Sequence, residues 1–190
     1  GTGSTSEVGG DLIAIAGGST AGTGGSVSLK TGSGVASTSG QITVRTVNAG
    51  TSGISGALVF STGAASSGSS GEINMFTGQA AGGKSGNFEV SIGLGDTTTG
   101  GDVSISSGDT SANTGGMISL TSGLGTTKSS GSVIVRTSNA GVAGTSGIMR
   151  FASGTTSTGS SGTVIVSTGA ATAGKGGDIL LSVGAGTASV

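Results

Sequence analysis

The chain has 190 residues, of which 44 are Gly, and it contains no Pro, Cys, Trp, Tyr or His; 8% of its residues are charged and the formal net charge is −1. Without Pro, or Gly at every third position, it is not collagen. Without His or Cys it has no Ser-His-Asp or Cys-His catalytic arrangement, no disulfide and no thiolate metal site. Its basic residues (Lys30, Arg45, Lys84, Lys128, Arg136, Arg150, Lys175) are scattered singly, so no cluster is present to neutralise a nucleic-acid backbone.

Taken in order, the chain repeats itself. A first apolar column runs through Leu12, Val27, Ile42, Leu58, Ile73, Phe88, Val103, Ile118, Val133, Met149, Val164 and Ile179. Each step is 15 residues except two of 16, from Ile42 to Leu58 and from Val133 to Met149. Two positions later comes a second column: Ala14, Leu29, Val44, Phe60, Met75, Val90, Ile105, Leu120, Val135, Phe151, Val166 and Leu181. Alternation with period 2 between glycines predicts a short strand with one face buried. A fixed period of this size predicts a solenoid. Disordered chains are poor in β-branched residues and rich in charge, whereas this one has a mean hydropathy of +0.27 and evenly spaced Val and Ile. The fold class expected is therefore all-β, a β-solenoid or β-helix of twelve strand-plus-arm repeats with one or two strands per coil.

A third column is mostly hydroxylated: Ala16, Thr31, Thr46, Thr62, Thr77, Ile92, Ser107, Ser122, Thr137, Ser153, Thr168 and Val183. The residue after it is usually Gly, which predicts a sharp corner with positive φ there. The return arms consist almost wholly of Gly, Ala, Ser and Thr. Column members recur 91 residues apart, and Arg45-Thr46-x-Asn48-Ala49-Gly50 returns as Arg136-Thr137-x-Asn139-Ala140-Gly141. Two copies of a six-strand block follow, about 9–99 and 100–190, within one continuous segment (1–190). The chain is expected to be a mature fragment or a window onto a longer array, with no signal peptide and no apolar run approaching the ~20 residues of a membrane span.

Outward strand positions include Ile13, Ile15, Val59, Phe76, Ile134, Ile165 and Leu180. These are either tolerated surface apolars or a candidate assembly face packed on another layer or molecule. The acidic residues show no pairing suited to catalysis, and Asp11, Glu72, Asp102 and Asp178 sit just before the first column, as turn residues. Gly-Gly-Asp at 100–102 and 176–178 has the wrong period for a calcium-binding β-roll, and Gly83-Lys84 and Gly174-Lys175 lack the full phosphate-loop frame. No catalytic, metal or cofactor site is expected, and the chain is not expected to be an enzyme. Ice binding needs regular outward Thr ranks, which Lys30, Arg45, Phe76, Glu89, Arg136 and Arg150 interrupt.

The phrase G-G-x-V-x-I-x-[ST]-G with a Gly/Ser/Thr/Ala arm, as at 100–108, resembles the tandem repeats of very large cell-surface proteins of algae and related protists. It is also similar to repeats of bacterial surface adhesins and viral tail fibres. The resemblance implies an extracellular or cell-surface location and an extended structural or adhesive role. The function expected is a segment of an extracellular filament, surface appendage or adhesin stalk that self-associates or joins other filament subunits. The alternatives are an ice- or glycan-binding solenoid and a viral tail-fibre shaft. Partners expected are further copies or a glycan surface, without nucleic acid or membrane insertion.

Overall fold

A computed structural model describes residues 9–97 and 99–186. Among them there is no helix and no strand, so the expected all-β solenoid is corrected: the twelve apolar-alternating segments do not pair. None of the described residues is buried, and among them only Ala16, Ser122 and Gly125 are less than fully exposed. The accessible surface is 18861 Å², whereas a folded chain of 17.3 kDa would expose ~7,800 Å² and an unfolded one ~25,000 Å². The area lies much nearer the unfolded value. The described residues form no core.

What the backbone retains is the repeat. Bends fall at 20–22, 35–37, 51–53, 66–68, 81–83, 96–97, 111–113, 126–128, 142–144, 157–159 and 172–174. Their starts step by 15 residues, with steps of 16 from 35 to 51 and from 126 to 142, following the two long steps of the sequence. Positive φ occurs among the described residues at Gly53, Gly68, Gly82 and Gly159, all inside bends. Corner glycines such as Gly17, Gly32, Gly63 and Gly78 do not adopt it. The chain therefore reverses some residues beyond the apolar segment, in the arm, and the sharp corner expected directly after the third column is absent.

Each reversal closes a loop at a neck. In every repeat the residue two positions before the first column is Gly, from Gly10 to Gly177. A Cβ built on any of the eleven from Gly25 onward would lie 2.9–3.7 Å from the third-column side chain of the preceding repeat. Gly40 would meet Thr31 Cβ at 3.0 Å, and Gly101 would meet Ile92 Cγ2 at 2.9 Å. At Gly101 a side chain would force its neighbour to shift, and at Gly25, Gly40, Gly56, Gly116 and Gly147 the fit would be tight (3.0–3.3 Å), whereas at the other five the distance is ordinary contact. Four necks are also hydrogen-bonded: Gly25 N donates to Gly17 O (2.8 Å), Gly40 N to Gly32 O (3.1 Å), Gly116 N to Gly108 O (3.0 Å) and Gly131 N to Gly123 O (2.9 Å). These are two pairs related by the 91-residue duplication, and Ser107 Oγ adds a bond to Gly116 O (2.9 Å).

The neck gives a physical reason for the missing solenoid. Stacked coils would set Val27 beside Leu12, one repeat apart, so that each strand ladders onto the next. The neck instead joins the end of one segment to the start of the following one, Ala16 to Gly25. This closure needs only nine or ten residues, and short closures carry the smaller entropy cost. A ladder between whole segments would order long glycine-rich arms, whose residues lose the most backbone freedom, while two thin aliphatic columns offer little burial in return.

The first column alone leaves a trace in side-chain exposure, the second overlapping the outward residues at 56–86%. Leaving aside Leu12, the first column is 42–70% exposed, whereas the seven outward residues are 71–88% exposed. Local contacts group the chain into two units, Gly1–Ser91 and Ile92–Val190. In the first, the hydrogen-bonded necks enclose loops 17–25 and 32–40; in the second, loops 108–116 and 123–131.

Candidate functional site

The seven residues of the candidate assembly face are all exposed, at 71–88%. Ile13, Ile15, Val59 and Phe76 lie in the first unit, and Ile134, Ile165 and Leu180 in the second. They fall one or two to a segment, and without a sheet no pleat fixes them on a common side. Their exposure is also shared with every other large apolar side chain among the described residues, from Met149 at 42% to Val142 at 111%. The apolar character is thus distributed along the chain.

The hydroxyl column lies at the necks. Thr31, Thr46, Thr62, Thr77, Thr137 and Thr168 each stand against a neck glycine. Hydroxyls elsewhere hold the bends. Ser19 Oγ accepts the Gly22 amide at 2.9 Å, and its counterpart Thr110 Oγ1 accepts the amides of Ala112 and Asn113 at 3.4 and 3.3 Å. Hydroxyls that bond backbone two or three residues on stabilise turns in this way.

Among the described residues no three acidic, His or Cys side chains group to hold a metal ion, and no helix is long and apolar enough to cross a membrane. Asn74 Nδ2 donates to Glu72 Oε2 (3.1 Å), tying that acidic residue to its own segment.

Two concavities stand out, one in each unit, at related places. Arg136, Thr137, Ser138 and Asn139 line a cavity of about 200 Å³. Arg45, Thr46, Val47 and Asn48 line one of about 320 Å³. The four positions correspond one to one across the 91-residue shift. Both lie at the mouths of the longer loops, where ten residues separate the neck partners (Thr46 to Gly56, Thr137 to Gly147) in place of nine. At both, the glycine that usually follows the third column is replaced, by Val47 or Ser138. The sequence does carry a signal for this site, the Arg-Thr-x-Asn-Ala-Gly phrase preserved in both blocks. Only the extra residue and the missing glycine show that its loop differs from the others.

Compared with known protein families, curated proteins and solved structures, the chain matches none.

Proposed function

We propose that this chain is a structural repeat segment of an extracellular or cell-surface assembly, in which copies associate through the aliphatic side chains that each repeat leaves uncovered. One observation carries the reading: every large apolar side chain among the described residues is exposed. Side chains of this kind, repeated along the whole length, are available to pack against a second copy. Burying one Val, Leu, Ile or Phe contributes roughly 1.5–3 kcal/mol, and each further matched repeat adds to that contact. The repeat supplies the matching, since a neighbour shifted by 15 residues presents the same columns.

Charge supports the same direction. Between residues 72 and 109 there are five acidic residues (Glu72, Glu89, Asp96, Asp102, Asp109) and one Lys84; between 110 and 177 there are four basic residues and no acidic one. These stretches carry −4 and +4, and two copies offset along each other bring the two signs together. At a net charge of only −1 there is little self-repulsion to oppose association.

Sedimentation velocity over a hundredfold concentration range, at low and moderate salt, tests the proposal. Reversible, concentration-dependent growth that weakens as salt rises supports it. A chain that remains monomeric at every concentration rejects it.

A further inference from the structure

We infer that the loop mouths at 45–48 and 136–139 are a duplicated binding site for carboxylate groups carried on an acidic polysaccharide. The inference is independent of the association proposed above, because each site lies wholly within one unit of a single chain.

The donor set is the first ground. Each mouth is lined by an arginine, a threonine and an asparagine, and the second also by Ser138. The guanidinium is a planar fork that meets a carboxylate with two parallel hydrogen bonds, and it stays charged at all relevant pH. The neutral hydroxyl and amide beside it are suited to sugar oxygens.

The absence of competing acids is the second. No Asp or Glu occurs between Asp11 and Glu72, or between Asp109 and Asp178, so neither arginine has an acidic neighbour along its own stretch of chain. The size of the concavities is the third: at about 200 and 320 Å³ they fall at or below the low end of the ~300–1,000 Å³ typical of small-molecule pockets. Each takes one functional group or one sugar ring.

Exposure decides the form of the ligand. A single water-exposed ion pair contributes little, so a free monosaccharide acid would be held poorly. Two related sites 91 residues apart on one chain instead favour a polymer with many carboxylates, because the second contact then forms at high effective concentration. The duplication has kept the arginine, threonine and asparagine while altering charged residues elsewhere, including Lys30, which becomes Thr121, and Glu89, which becomes Leu180.

The experiment is amide NMR of the dilute, monomeric chain titrated with a polyuronate oligomer, alongside its uncharged analogue and a sulfated polysaccharide. The largest shifts are expected at residues 46–48 and 137–139, well above those at Lys30, Lys84, Lys128 and Lys175. The uncharged analogue should be silent. Arg45→Gln or Arg136→Gln alone should weaken polyuronate binding by about tenfold through loss of avidity, and the double variant should abolish it. Arg45→Lys with Arg136→Lys keeps the charge but loses the fork, and should also weaken binding severalfold. Shifts spread evenly over all seven basic residues, unchanged binding by the Lys variant, equal binding of the sulfated polymer, or no response to polyuronate would each overturn the assignment.

Discussion

Within each repeat two regions are built from the same small set of residues and behave differently. The loops, such as 17–25 and 108–116, close on themselves through a glycine neck and a hydroxyl-held bend. The apolar segments between them, such as 26–30 and 117–121, gain no partner and stay exposed. Sequence distance separates the two cases. Loop contacts join residues two to ten positions apart, while a ladder would need contacts a full repeat or more away, each requiring a long flexible arm to be ordered first. Alternation of apolar and polar residues states what a segment could do beside a neighbour; it does not supply the neighbour.

Several substitutions would sharpen or break this contrast. The largest effect is expected from changing the segments: Phe76→Asp combined with Ile165→Asp removes two apolar contacts and adds two charges. At roughly 1.5–3 kcal/mol per buried side chain, association should weaken by at least tenfold in sedimentation, while the neck amides keep their NMR shifts. Next comes Gly125→Ala, because its Cβ would run into the carbonyl oxygens of Lys128 (2.6 Å) and Ser129. The Gly131–Gly123 hydrogen bond should be lost, and the Gly131 amide should exchange at the rate of an open chain. Gly154→Ala, whose Cβ meets nothing within 4 Å, is the matched control and should leave exchange unchanged.

A smaller effect is expected at the bends. Gly68 and Gly159, a pair related by the duplication, have φ of 108° and 114°. Alanine there costs about 1–3 kcal/mol of local strain, and should shift backbone couplings within residues 66–68 or 157–159 but not beyond the adjoining neck. The smallest change is Ser19→Ala or Thr110→Ala. Each removes one exposed hydrogen-bond acceptor, worth about 0.5–1.5 kcal/mol at most. The amides of Gly22, or of Ala112 and Asn113, should exchange a few times faster. If these loop variants altered association as strongly as the Phe76/Ile165 pair, the separation of the two regions would fail.

Much of the local organisation was legible in the sequence. The 15-residue step, its two 16-residue exceptions and the 91-residue duplication all reappear in the placement of bends and necks. What misled was the step from periodicity to a stacked sheet. Val27, Leu29 and Thr31 have the spacing of a half-buried strand, yet spacing is silent on whether enough apolar area exists to hold strands together. The glycine column from Gly10 to Gly177 was readable but easily lost among so many other glycines. Its meaning, close approach to the third column, emerges only when Thr31 and Gly40 are seen side by side. The concavities at Arg45 and Arg136 depended on loop geometry that an Arg-Thr-x-Asn phrase does not disclose.

The contrast between closed loops and unpaired segments is tested most directly by residue-resolved amide hydrogen exchange on the dilute monomer. Slowed exchange should be confined to Gly25, Gly40, Gly116 and Gly131 and, more weakly, to Gly22, Ala112 and Asn113. Protection instead running through residues 26–30, 41–45, 102–106 and their counterparts at 15-residue intervals would show the segments laddered together, and would contradict it.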